Sequence, residues 1–166
     1  VLVDITKDVT ANTIDYKPEK PLELKPSPKF TEKEVHDVAA MINAAERSVI
    51  YFGGGVAASR AGKELNQLVE TADIPATYTL MAAGIIGWEN PKNLGLIGMH
   101  GSIAANKAVD RADLVIALGT RFSDRVALNP KKFAKKATKV QIDIDASEIN
   151  KNVLVDYGVT ADVREF

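Results

Sequence analysis

Cysteine is absent from the 166 residues, which excludes disulfides, thiolate zinc sites and cysteine nucleophiles together. Histidine is nearly as scarce. With only His36 and His100, a histidine-based metal centre lacks ligands. Excess charge is missing too: 21 Lys and Arg against 22 Asp and Glu leave −1, so no global basic field draws nucleic acid. No apolar run approaches the roughly 20 residues of a membrane span. No charged-then-apolar signal segment opens the chain. These absences point to a cytoplasmic protein with neither nucleic acid nor membrane as partner. The chain opens on Val1 rather than Met and reads as part of a longer polypeptide.

Hydrophobic residues make up 46% of the chain, enough to build one core at this length. Val1 to Ile5 reads as a strand that closes a preceding domain, and residues 1–10 are assigned to that domain's tail. Lys17 to Pro28 alternates proline with charge. Proline fixes φ and withholds a backbone donor, so residues 11–30 read as a semi-rigid linker. Residues 31–166 form the main domain.

Thr31 with Glu34 makes a capping box, and Val35, Val38, Ala39 and Ile42 continue a helical stripe to about Glu46. Ser48 to Phe52 reads as a strand, Gly53 to Gly55 as a turn, and Ala58 to Ala72 as a helix that ends before Pro75. Ala76 to Leu80 is a short strand, followed by a long Gly-rich connection over Met81 to Leu96. Ser102 caps a helix with Ala104, Ala105, Ala108, Val109 and Ala112 on one face. Leu114 to Leu118 is a continuous apolar run, as in a parallel strand covered on both faces. Lys131 to Ala137 is a basic helical or irregular turn. Lys139 to Asp145 is a strand, Ser147 to Asn152 a short helix, and Val153 to Val159 a last strand. This alternation predicts an α/β fold with a doubly wound, mainly parallel sheet.

In such sheets ligands bind outside the carboxyl ends of the strands. Gly119 ends the Leu114–Leu118 strand, and Arg121 and Arg125 follow on that rim. The Gly98 to Gly101 turn precedes a helix, where free N–H groups and the helix dipole favour an anion. Gly53-Gly54-Gly55-Val56-Ala57-Ala58 fits the dinucleotide pattern G-x-G-x-x-G/A. Either it contacts a cofactor or its glycines serve turn geometry alone. The acidic residue that usually follows about twenty positions on, at the end of the second strand, is missing: Asp73 falls on the preceding helix, and the ordinary NAD fingerprint fails. Asp143 is a candidate acceptor for sugar hydroxyls, whereas Asp145 suits a helix cap. His100 either touches a ligand or is a turn residue. His36 reads as solvated, and so do Lys131, Lys132, Lys135 and Lys136, which have no aromatic platform beyond Phe133.

Val3-Asp4-Ile5-Thr6-Lys7-Asp8-Val9, Gly53 to Gly55, Thr79-Leu80-Met81, Gly98 to Gly101, Thr120 to Arg125, Gln141 to Asp145 and Glu148 to Lys151 occur in this order. Together they resemble the central domain of the acetolactate synthase (acetohydroxyacid synthase) catalytic subunit. The resemblance implies a Rossmann-like middle domain of a thiamine diphosphate enzyme that decarboxylates pyruvate and joins the two-carbon unit to a second 2-oxo acid. It implies that residues 1–10 end a thiamine-pyrimidine domain and that this domain binds FAD in a structural, non-redox role. The implied FAD contacts are Gly54, Thr79 and Leu80, then Ile97, Gly98, Met99 and His100. They continue with Gly119, Thr120, Arg121, Phe122 and Ser123, then Asp143 and Ile144, and end with Asp162 and Val163. Thiamine diphosphate and Mg²⁺ belong to a first and a third domain outside this chain, so no catalytic or metal-binding residue is assigned here and the isolated domain is expected to be inactive. A homo-oligomer and a regulatory subunit are the implied partners.

Three positions depart from the family's usual pattern: Thr6 in place of Pro, Ser123 in place of Asp, and Ala82-Ala83 where Gly is common. Three alternatives stay open. They are the middle domain of a pyruvate oxidase-like or other carboligase or decarboxylase, a nicotinamide-nucleotide-binding redox module, and a scaffold with a degenerate site.

Overall fold

The computed structural model describes residues 2–21, 23 and 26–166. The expected strand at Val1 to Ile5 falls partly outside them, as does part of the expected linker at Leu22, Leu24 and Lys25. Leu2 to Ile5 form no strand, and a four-residue helix, α1 (Lys7–Thr10), follows. A strand needs a neighbour for its backbone groups, and the described ladders all belong to strands between residues 48 and 160.

Six parallel strands form one sheet: β1 (Ser48–Phe52), β2 (Ala76–Tyr78), β3 (Asn93–Leu96), β4 (Leu114–Leu118), β5 (Thr138–Asp143) and β6 (Tyr157–Thr160). Their order across the sheet is β3-β2-β1-β4-β5-β6, that of doubly wound nucleotide-binding folds. The helices are α2 (Glu32–Ala44), α3 (Gly54–Ala58), α4 (Gly62–Thr71) and α5 (Ile103–Arg111).

Alternation along the central strands feeds two cores. Ile50, Phe52, Ile116 and Leu118 point to the face covered by α2, α3 and α4. Val49, Tyr51, Val115 and Ala117 point to the face covered by α5 and the segment that follows β4. On that second face Tyr51, Phe122 and Phe133 form an aromatic cluster, with centroids 5.4–6.3 Å apart. Both faces are covered, so β1 and β4 read as unbroken apolar runs.

The capping box at α2 is present: Thr31 Oγ1 accepts from the Glu34 N–H at 3.2 Å, and Glu34 Oε2 accepts from the Thr31 N–H at 2.7 Å. The helix expected over Ala58 to Ala72 is two helices. Arg60 takes a left-handed φ of 57°, and the Arg60 and Ala61 N–H groups bond back to Ala57 O and Val56 O, closing α3. The same closure ends α4, where Asp73 has φ 54° and the Ile74 N–H bonds to Val69 O. Asp73 thus sits at a helix end, paired with Lys92 at 2.9 Å.

Three further expectations shift. The strand from Ala76 stops at Tyr78, and a 3-10 turn (Leu80–Ala82) takes over. The expected long connection contains edge strand β3. The helix after β5 is a 3-10 turn (Ala146–Glu148), capped by Asp145 Oδ1 accepting from the Ser147 N–H. Residues 131–137 form irregular turns with all four lysines exposed. No described helix is long and apolar enough to cross a membrane.

Candidate functional site

The strand order reverses direction between β1 and β4: the chain goes on from β1 to β2 on one side and from β4 to β5 on the other. A cleft of about 740 Å³ opens there, within the usual size of a small-molecule site.

The turns after β1 and β4 meet at the base of the cleft. Gly53 N–H bonds to Leu118 O at 3.0 Å, and Gly55 N–H bonds to Gly119 O at 2.9 Å. A Cβ on Gly55 would lie 2.6 Å from Gly119 Cα, and Gly119 itself has φ +55°. Close packing of two turns therefore accounts for Gly53 and Gly55. Gly54 differs, because it faces the cleft opposite Met81.

One wall carries the cationic groups. Arg121 is exposed and forms no ion pair among the described residues, while the Arg121 carbonyl accepts from Asn152 Nδ2 at 2.7 Å. Arg125 also lines the cleft, 4.0 Å from the Asp124 carboxylate, with both side chains mostly solvated. His100 and Ser123 complete this polar side. Carboxylates line the cleft as well, on and just after the strand next to β4, and Gln141 Nε2 ties the Glu148 carbonyl to that of Thr120. Asp143, at the carboxyl end of β5, accepts the Asp145 N–H at 3.0 Å. Burial pushes the Asp143 carboxyl above the usual carboxylate range, the Asp145 N–H opposes this, and the charges of Glu148 and Asp145 add to it. Glu148 is mostly buried and pairs with Lys151 through Oε1. At the mouth, Leu80 and Met81 are each 76% exposed and give the cleft an apolar lip.

Of the residues implied by the resemblance, eleven line this one cleft. They are Gly54, Thr79 and Leu80 after β1 and β2; Ile97, Met99 and His100 after β3; Gly119, Thr120, Arg121 and Ser123 after β4; and Asp143 on β5. The other five lie elsewhere. Phe122 has a left-handed φ of 47°, which turns its ring inward to Tyr51 and Phe133 at 2% exposure. Gly98 is wedged beneath the Arg125 carbonyl. Ile144 points to solvent. Asp162 caps the final turn, with Oδ1 accepting from the Arg164 N–H, and Val163 borders a separate groove between α2 and α4.

The anion cradle expected at Gly98 to Gly101 also changes character. The Gly98 N–H bonds to Asn106 Oδ1, Met99 N–H to Arg125 O, Gly101 N–H to Gly98 O and Ser102 N–H to Leu96 O. These four donors are used within the protein, which leaves the guanidinium groups as the charged anion partners at this rim.

The cleft also includes Gly55 of the triglycine turn, and Tyr51, Met81, Leu96, Val126 and Glu148, which the sequence reading did not place there. For Glu148 a signal existed: Asp143, Asp145 and Glu148 concentrate three carboxylates just past a buried strand. Tyr51 gave none, because it reads as one more apolar strand residue.

Residues 35–166 match the family described as "Thiamine pyrophosphate enzyme, central domain". The chain is 42% identical over 167 residues to "Acetolactate synthase" of Mycobacterium bovis, covering 99% of this chain and 27% of that protein. It is 42% identical over 170 residues to "Acetolactate synthase 1, chloroplastic" of Zea mays, covering 99% of this chain and 26% of that protein. It is 39% identical over 166 residues to "Acetolactate synthase isozyme 1 large subunit" of Escherichia coli, covering 99% of this chain and 29% of that protein. The chain therefore spans a little over a quarter of the length of these relatives.

Proposed function

The chain belongs to the thiamine pyrophosphate enzyme central-domain family, and on that premise we propose that it is the FAD-binding middle domain of an acetolactate synthase. The observation that carries this reading is the cleft at the carboxyl ends of β1 and β4, lined by both guanidinium groups and carboxylates. The residues suit a dinucleotide. Arg121 and Arg125 match a diphosphate, which guanidinium binds through paired hydrogen bonds. Asp143 and Glu148 match the hydroxyls of ribose or a ribityl chain, which need acceptors. Gly54 lets the backbone approach the ligand from the side facing Met81.

Within the proposal FAD is structural and contributes no net redox step. Pyruvate decarboxylation and condensation with a second 2-oxo acid belong to the longer polypeptide, with thiamine diphosphate and Mg²⁺ held by its other domains. The nicotinamide alternative is disfavoured by the end of β2, where Tyr78 and Thr79 stand in place of a ribose-binding carboxylate.

The test is a calorimetric titration with FAD and, in parallel, with NADH and NADPH. The expected outcome is FAD binding, weak in the 166-residue chain because contacts from a neighbouring domain are missing, and stronger in the full-length polypeptide. Preference for a nicotinamide nucleotide, or no flavin binding at full length, overturns the reading.

A further inference from the structure

Four buried side-chain atoms lack a hydrogen-bond partner among the described residues; two, Tyr51 Oη and Glu148 Oε2, belong to residues that line the cleft, and a third, Gln141 Oε1, sits on a side chain bonded to the Glu148 carbonyl. The fourth, Glu64 Oε2, borders the separate groove between α2 and α4. A buried polar atom without a partner costs roughly 1–3 kcal/mol, so three at one place ask for a cause.

The sheet register supplies the geometry. Tyr51, Ala117 and Gln141 form one row across β1, β4 and β5, with their side chains on the same face. Two strand spacings separate Tyr51 from Gln141, about 10 Å at Cα. The small Ala117 between them leaves room above β4. Both side chains are fully buried, and neither is free to turn away. Gln141 Nε2 donates to Thr120 O at 3.2 Å and to Glu148 O at 3.3 Å, which sets the amide and leaves Oε1 unpaired. The Tyr51 ring is held against Phe122 and Phe133. Burial pushes its phenol up to about 12, opposed by the Thr120 hydroxyl, which is close enough to compete with a ligand for it, so the phenol stays protonated.

We infer that Tyr51 and Glu148, with Gln141 beside them, form a polar well in the floor of the cleft that holds a sugar hydroxyl of the bound dinucleotide. This rests on the reading of the cleft given above. A hydroxyl accepts from Tyr51 Oη and donates to Gln141 Oε1 or Glu148 Oε2, using both kinds of unpaired group at once. A phosphate has no proton to donate and would meet the Glu148 carboxylate. An ordered water has the same chemistry as a hydroxyl, and the experiment separates the two.

Tyr51→Phe removes a single oxygen and keeps the ring packing. In the full-length polypeptide, FAD affinity is measured by calorimetry and melting temperature is measured without FAD. The expected result is FAD binding weakened about three- to tenfold, the worth of one neutral hydrogen bond, with the FAD-free melting temperature unchanged or higher. Affinity within twofold of wild type assigns the well to water and overturns the inference. A lower FAD-free melting temperature shows that the hydroxyl is already satisfied without ligand, and this too overturns it. Wild-type protein that binds no FAD overturns the reading of the cleft itself, an outcome visible in the wild-type arm alone.

Discussion

Arg121 follows the buried Leu114–Leu118 strand by three residues and projects where ligands of such sheets bind. Its carbonyl is tied to Asn152, but no carboxylate pairs with its guanidinium among the described residues. Arg121→Ala is therefore expected to leave folding nearly unchanged, because an exposed arginine adds little to the core. FAD binding in the full-length polypeptide should weaken by about 1.5–3 kcal/mol, the range of a charge-assisted hydrogen bond. Calorimetry of the variant decides this, and wild-type affinity would make Arg121 a plain surface residue. Asp143 permits a pH experiment. Its carboxyl titrates above the usual range in the fold, chiefly through burial. The protonated form is thus favoured on folding. The stability it lends is full below the ordinary carboxylate value and is lost as pH rises through the raised one. Asp143→Asn keeps an oxygen for the Asp145 N–H, so it should melt above wild type at pH 7 and level with it at pH 3. Equal melting at pH 7 would remove burial as the cause of the shift.

Elements were legible where one physical demand dominated. β1 and β4 occupy the middle of a sheet covered on both faces, so Val49 to Phe52 and Leu114 to Leu118 had to be apolar throughout. The Thr31 and Ser102 caps were readable because a side-chain oxygen had to meet N–H groups of the first turn. β3 was hidden: it is an edge strand of four half-buried residues that includes Gly95, so neither alternation nor an apolar run marks it. The break between α3 and α4 was hidden as well, because it depends on Arg60 adopting a left-handed backbone without glycine. At the cleft, residue types exposed the rim but not the floor. Phe122 entered the implied contacts through the resemblance alone, and its left-handed φ of 47° goes with a ring turned inward. The glycines after β1 offer an element-level test. Gly55→Ala places a methyl 2.6 Å from the Gly119 backbone, which neither turn can yield cheaply. Its cost should be about 1–3 kcal/mol or more, seen as a lower urea midpoint. Gly62→Ala puts a methyl 3.3 Å from Ile85 Cγ2 at the start of α4, where alanine favours the helix, and its midpoint should hold or rise. Equal behaviour of the two variants would mean that the turns are not packed against each other.

For the molecule as a whole, the 166 residues span a little over a quarter of the relatives they match. Among the described residues, no three His, Asp or Glu side chains gather into a metal-binding group. On the reading that other domains of a longer polypeptide hold the thiamine diphosphate and Mg²⁺, the chain alone is expected to form no acetolactate from pyruvate, even with thiamine diphosphate, Mg²⁺ and FAD supplied. Product above a heat-killed control, in a preparation free of host synthase, would contradict this. The interlocked turns at Gly55 and Gly119 carry a mechanical meaning. Residues 48–96 supply β1 to β3 and residues 114–160 supply β4 to β6, so the sheet is two panels joined along the single β1/β4 edge. Gly55 and Gly119 form a hinge pin at the end of that edge, with no side chain to cushion them. On the proposed reading, a dinucleotide lying across the joint would act as a rivet beside the β1/β4 ladder, and prying the panels apart would tear it out.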